Sequence, residues 1–225
     1  MKNLDRALAN HPSCLSNYSS TNNNWGNVTS ADKIAIWAEL DKMQGCFCAY
    51  CQRKLTDAKH IEHFYPRNQF QSQFKSLTFE WNNIFGSCND SNTCGKHKDS
   101  VIGDGCYNPQ LLLKPDRDNP EYLINYYGTG TVVVKPSIDE NMVARVNETI
   151  RVFNLNTAVL EQLRENAVSG YLSVADQINS ELVECENDDD LIQLCLDSVQ
   201  DVLREVENLE FSAVIKSTFK KRLSL

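Results

Sequence analysis

The sequence predicts an α+β protein: a small cysteine- and histidine-bearing module between an N-terminal helical segment and a mostly helical C-terminal region. Three observations carry this. Two cysteine pairs, Cys48/Cys51 and Cys88/Cys94, bracket a histidine-rich segment with strand character. Two β-rich runs, YLINYY and TVVVKP, flank Gly128-Thr129-Gly130. Before the cysteines and again after residue 141, apolar residues recur at helical spacing.

The elements follow in order. Residues 1–30 are rich in Asn and Ser, and SSTNNNWGN reads as a loop after a short helix. Ser30 is placed to cap a helix from Ala31, with Ile34, Trp37, Ala38, Leu40 and Met43 as apolar positions and Gly45 as the stop. Residues 46–105 form the motif module. Pro109, Pro115 and Pro120 make the next stretch extended, and a hairpin follows around Gly128–Gly130. Ile150, Phe153, Leu155, Val159, Leu160 and Leu163 then read as helical, with a break at residues 154–156, and another helix spans about 170–185. Acidic residues 186–190 favour the positive end of a last helix carrying Leu191, Leu194, Cys195, Val199, Val202, Leu203, Val206 and Leu209 on one side. Three regions result: 1–45, 46–105 and 106–225.

A chain of 225 residues has room for a full core. Its net charge of −8 does not suggest a nucleic-acid binder, but the charge is unevenly spread. Residues 46–100 hold seven Lys/Arg against five acids, whereas in residues 181–210 only Arg204 opposes eleven acids. The N-terminus MKNLDRALANHPS lacks the apolar core of a signal peptide, and no apolar run approaches a membrane span. A cytoplasmic, reducing setting is therefore expected, where clustered cysteines are metal ligands more often than disulfides. Isolated Cys14, Cys106, Cys185 and Cys195 read as small buried apolar residues.

Cys48-x-x-Cys51 has the spacing of a zinc knuckle, and Cys88 with Cys94 would complete a tetrahedron. Five residues separate the second pair instead of the usual two to four, so that loop must bulge outward. A zinc with four thiolates has no open position and is structural. Between the pairs runs His60-Ile61-Glu62-His63-Phe64-Tyr65-Pro66-Arg67. On a strand, Glu62 and His63 point to opposite faces unless a bulge bends it. A neutral imidazole suits water activation near pH 7. A carboxylate suits Mg²⁺ or Mn²⁺, with Asn83 or a residue near Cys94 as a second ligand. Phosphodiester hydrolysis needs these parts. Arg67, Lys96 and Lys98 are candidate phosphate contacts, each weighed against plain solvated surface. The aromatics of the module are stacking candidates, most of them needed for its core.

The string CAYC…HIEHFYPR…WNNIFGSC…C resembles the HNH (ββα-metal) nucleases. The resemblance implies that His63 is the general base, Glu62 a metal ligand in place of the usual Asp, and Asn83 the middle asparagine that orients the base and its loop. It implies a third residue on the helix after the second cysteine pair. His97 is the choice, as catalytic residue or metal ligand, with Asn89 and Asn92 as rivals and His60 as an extra ligand or supporting group. From about residue 25 to 165 the chain is similar to the PtuB-type HNH proteins of Septu and retron-associated anti-phage systems. That implies a toxic nuclease assembled with an ABC/SMC-like (PtuA-type) ATPase, and in the retron version with a reverse transcriptase and its msDNA. DNA and RNA both stay open as substrate. The alternative is a non-catalytic zinc-knuckle adaptor or nucleic-acid-binding protein.

Overall fold

The computed structural model describes residues 1–56, 58–67, 69–100, 107–185 and 188–223. By contacts the chain forms two units, residues 1–124 with 134–155, and residues 125–133 with 156–225. The cut expected at 105/106 does not coincide with this division. Cys106 and residues 186–187, to which a buried thiol and part of an acidic helix start were assigned, lie outside the described residues.

In the first unit, helix α1 (Ser30–Gln44) begins one residue earlier than expected. Thr29, not Ser30, is the cap, its hydroxyl accepting from Asp32 N at 3.1 Å. Gly45 ends the helix in the left-handed region at φ 63°. Ile36, Leu40 and Met43 face inward. Gln44 at the end of α1 donates to Gly86 O (3.0 Å) and accepts from Gly86 N (2.7 Å), which fastens α1 to strand β2. A Cβ at Gly86 would lie 2.6 Å from the Trp37 ring, so glycine permits this close approach.

Strands β1 (Lys59–His63) and β2 (Ile84–Cys88) pair antiparallel, with Glu62 opposite Phe85 and His63 opposite Ile84. All five residues of β2 are buried. Helix α2 (Cys94–Ser100) follows and packs on β2. Before residue 30 the chain forms three 3₁₀ turns instead of one short helix: Arg6–Leu8, Ser13–Asn17 and Trp25–Asn27. Arg6 pairs with Asp116, donates to Trp81 O and Ile84 O, and lies over the Phe85 ring, so it ties the N-terminus to the sheet. The Pro-rich stretch holds a 3₁₀ turn, Pro109–Leu111, before the four-residue helix α3 (Pro120–Leu123). Helix α4 (Glu140–Val152) returns to the module: Phe153 stacks on Tyr50 at 4.0 Å, and its carbonyl accepts from Cys94 N at 2.7 Å. Asn154, at φ 45°, supplies the expected break.

The β-rich runs form the hairpin β3 (Ile124–Tyr126) and β4 (Val132–Val134), closed by Tyr127 N on Thr131 O and Gly130 N on Tyr127 O. In the second unit, helix α5 (Ala158–Glu184) is one continuous element, not two. Gly170 lies mid-helix with open space where a Cβ would be. The ~1 kcal/mol that a helical glycine costs is outweighed by the buried stripe of Leu160, Val168, Ala175 and Ile178. Helix α6 (Asp189–Glu205) is capped by Asp188, as the acidic start signal implies. The expected last helix stops at Glu205, short of Leu209: a 3₁₀ turn Val206–Asn208 breaks it, and a further helix, α7 (Ser212–Arg222), carries Lys220-Lys221-Arg222 in its final turn. No glycine or proline marks that break, and Leu209 falls after it. Ala175, Ile178, Cys195, Val199, Phe219 and Leu223 share a core. Among the described residues no helix is long and apolar enough to cross a membrane.

Candidate functional site

Two centres lie in the first unit, one made of sulfur and one of polar side chains around β1. The first is the cysteine cluster. Cys48 and Cys51 sit on a tight turn in which Gln52 N donates to Cys48 O (3.0 Å) and Cys48 N to Arg53 O (2.9 Å). Gln52 closes it in the left-handed region. Cys88 ends β2 and Cys94 opens α2. The four Sγ atoms all lie within 4.8 Å of one another and all four residues are buried. Zinc–sulfur bonds of about 2.3 Å in a tetrahedron require sulfurs roughly 3.8 Å apart, and Cys51 Sγ to Cys88 Sγ is 4.0 Å. The cluster fits a structural zinc.

The long gap between Cys88 and Cys94 loops out and is held at several points. Asn89 N donates to Ala58 O, Asp90 caps Asn92 N and pairs with Arg53 at 3.0 Å, and Thr93 Oγ1 donates to Phe153 O. Arg53 also approaches Cys88 Sγ at 3.9 Å. Burial opposes any charge here. Even so, contacts from the other three thiols hold Cys48 low, while Cys88 and Cys94 are pushed up. A divalent ion removes this conflict by taking four thiolates at once.

The second centre spans both faces of β1. Its register runs without a bulge, so Glu62 and His63 point to opposite sides, and both are buried. Glu62 faces α2. Its Oε1 lies 2.8 Å from Lys98 Nζ, and its Oε2 accepts from His60 Nε2 at 3.0 Å. Burial would raise the carboxyl, but the Lys98 charge and the His60 bond outweigh it and bring Glu62 down to about 2. Lys98 is fully buried and also reaches Asp99 at 2.7 Å; these two carboxylates overcome desolvation and raise its pKa. A Cβ at Gly95 would lie 2.4 Å from Glu62 Oε2, so only glycine lets α2 come this close.

On the other face, His63 Nε2 lies 2.9 Å from Thr78 O. A carbonyl only accepts, so Nε2 carries the proton and Nδ1 keeps its lone pair. Burial, with help from the Arg67 charge, lowers His63 to about 3, so the ring is neutral at pH 7. The Trp25 ring meets it edge-on, centroids 4.4 Å apart. Asn83, buried at the end of the 3₁₀ turn Trp81–Asn83 just before β2, donates to Tyr65 O and Leu77 O and accepts from Tyr65 N at 2.7 Å. One side chain thus ties the segment after His63 to the segment that presents the Thr78 carbonyl.

The remaining sequence candidates separate. His97 Nδ1 lies 2.9 Å from Val152 O, turned to α4, and the α2 residues against Glu62 are Gly95 and Lys98. Asn89 and Asn92 lie exposed on the loop, as does Lys96 on α2; Lys98 is not a surface cation. Arg67 is exposed, its guanidinium 5.8 Å from the Trp25 centroid. Sequence reasoning missed Trp25 at His63 and the Lys98–Glu62 pair. For the latter, helical spacing of Cys94 and Lys98 was the available signal. Comparison of the sequence with protein-family models and with curated proteins gives no match.

Proposed function

We propose that this chain is a metal-dependent HNH endonuclease that hydrolyses nucleic-acid phosphodiester bonds. We further propose that it acts as the toxic effector of an anti-phage complex with an ABC/SMC-like ATPase, of the Septu or retron-associated kind. The observation that carries the nuclease reading is the antiparallel β1–β2 pair and helix α2 joined by four convergent cysteines, with Glu62, His63 and Asn83 buried at the strand ends. The complex, its ATPase, and a reverse transcriptase with msDNA rest on the sequence resemblance alone.

His63 is the general base, its Nδ1 lone pair left free by the Nε2–H bond to Thr78 O. Asn83 is a positioning residue that holds the flanking segments. Glu62 would hold a Mg²⁺ or Mn²⁺ ion in place of its Lys98 partner, with His60 as a supporting group that donates Nε2–H to Oε2 and turns its other ring nitrogen away from the carboxylate. Such an ion would neutralise the phosphate and stabilise the leaving oxygen. This set replaces the Glu62/His97 pairing, because His97 turns to α4. A zinc module without catalysis is the competing reading, favoured by the 4% exposure of His63.

The test is cleavage of phage DNA, plasmid and total RNA with Mg²⁺ or Mn²⁺, with and without the cognate ATPase, comparing wild type with His63→Ala. Loss of cutting in folded, zinc-loaded His63→Ala supports the assignment. Equal cutting by both removes His63 from it, and no cutting by wild type in any arm favours the non-catalytic reading.

A further inference from the structure

A general base must come within about 2.6–3.2 Å of the group it deprotonates, directly or through one water. His63 is only 4% exposed, and the ring in edge contact with it belongs to Trp25. Trp25 comes from a polar, irregular segment. It is half-buried between exposed Asn24 and Gly26, in a one-turn 3₁₀ element held by the Asn24/Asn27 capping box. One further ring, Phe79, stacks on it at 6.1 Å. The guanidinium of Arg67, on a residue exposed overall but itself partly desolvated, lies 5.8 Å from the indole centroid, at the outer range of a cation–π contact. A planar cation, an indole and the proposed base therefore lie in sequence, each beside the next.

Resting on the nuclease reading above, we infer that Trp25 and Arg67 take the nucleotide beside the scissile phosphate, and that the substrate is presented as an unpaired strand. Arg67 and the nucleotide exchange partners. The guanidinium leaves the indole for a phosphate, which it matches better as a forked, charged donor. The indole face it leaves receives the adjacent base, since a planar group already fits there. A base inside a duplex has both faces stacked and cannot make this exchange, whereas an unpaired base can. Trp25 then shifts from covering His63 to positioning the substrate against it.

The test measures binding by the full-length chain of 12-nucleotide fluorescent oligothymidylate, oligouridylate and a blunt duplex of the same length, without added Mg²⁺ or Mn²⁺. Wild type is expected to prefer single strands. Trp25→Ala should weaken that binding roughly tenfold or more, as one stacked base implies, while Trp25→Phe recovers most of it. Arg67→Ala should lower the salt slope of log K by about one. Zinc content and thermal midpoint, measured on each variant, confirm that the fold is kept. Duplex preference in wild type, or unchanged single-strand binding by Trp25→Ala alongside intact cleavage, overturns the inference and leaves the nuclease reading standing. Absence of any nucleic-acid binding by wild type overturns the inference, while the nuclease reading is decided separately by the cleavage assay with the ATPase. The two single-strand probes separate DNA from RNA.

Discussion

The cysteine cluster and the polar site flanking β1 lie in the same unit, yet they are built on opposite principles. The cluster brings four like atoms to one point, and each is useless as a ligand without the others. The polar site sends two adjacent side chains apart and gives each its own partners: Lys98 and His60 for Glu62, Thr78 and Trp25 for His63. A single ion can stabilise the first. The second depends on many separate contacts, each adding about a kcal/mol or a few. The comparison teaches that the cluster is held all at once and the polar site contact by contact, and substitutions should separate the two.

The largest expected effect is loss of the ion. Structural zinc supplies on the order of 10 kcal/mol to small modules. Removal of zinc by a strong chelator, or Cys94→Ser, should cost hydrogen-exchange protection in β1, β2 and α2. Amides of α5–α7, whose core is wholly side-chain packing, should stay protected. Equal loss in both would show that the cluster's stabilisation is not confined to the module, and no loss in β1, β2 and α2 would show that the cluster does not set the module's stability. Next comes the Glu62–Lys98 pair. Truncating one partner leaves a buried charge alone, at roughly 3–5 kcal/mol. Lys98→Met should therefore lower the denaturation midpoint sharply, and Glu62→Gln combined with Lys98→Met should recover much of it. A double variant as unstable as the sum of the two singles would mean that the pair is not coupled.

The cluster was largely legible in the sequence and the polar site was not, for a physical reason. Ligand spacing is a local property, so Cys48-x-x-Cys51 and Cys88/Cys94 announce themselves even with a loop of unusual length. Helix α1 and the β3–β4 hairpin were legible on the same ground, through Gly45 and Gly128–Gly130. What surrounds Glu62 and His63 comes from elsewhere in the chain. Trp25 lies far upstream in a segment with no periodicity, and Thr78 contributes a backbone carbonyl that any residue could supply. His97 was the more conspicuous residue on α2, but helix phase places Gly95 and Lys98, not His97, against Glu62. The continuous α5 was missed because Gly170 is a weak breaker when a buried stripe continues past it. The α6–α7 break was missed because no residue type punctuates it.

Asn83 sharpens the comparison at smaller scale. Its amide makes three hydrogen bonds to the segments flanking His63. Asn83→Ala should cost roughly 3 kcal/mol, at about 1 kcal/mol per bond. It should leave zinc stoichiometry unchanged, because none of those bonds involves a cysteine. Loss of zinc in a folded Asn83→Ala protein would show that the two centres are not separable.

The smallest effect is a pH dependence belonging to His63 alone. Its folded pKa is about 3, against 6.5 when exposed. Between those values the unfolded chain binds a proton that the folded chain refuses, so stability rises with pH across that window. The contribution is fully present above pH 6.5 and is lost as pH falls toward 3. At pH 5.5 the loss is about 1.4 kcal/mol relative to neutral pH. Glu62 acts in a lower window: its folded value of about 2 lies below the ordinary 4.5, so its share is present above 4.5 and fades as pH falls toward 2. Urea midpoints between pH 7.5 and 5.5 therefore isolate the histidine, provided zinc content is constant across the series, because thiolate ligands also take up protons in acid. Wild type should lose stability over that range and His63→Gln should lose less. Parallel curves would mean that the His63 ring is open to solvent at equilibrium. In that case the Trp25 edge contact does not keep water from the ring.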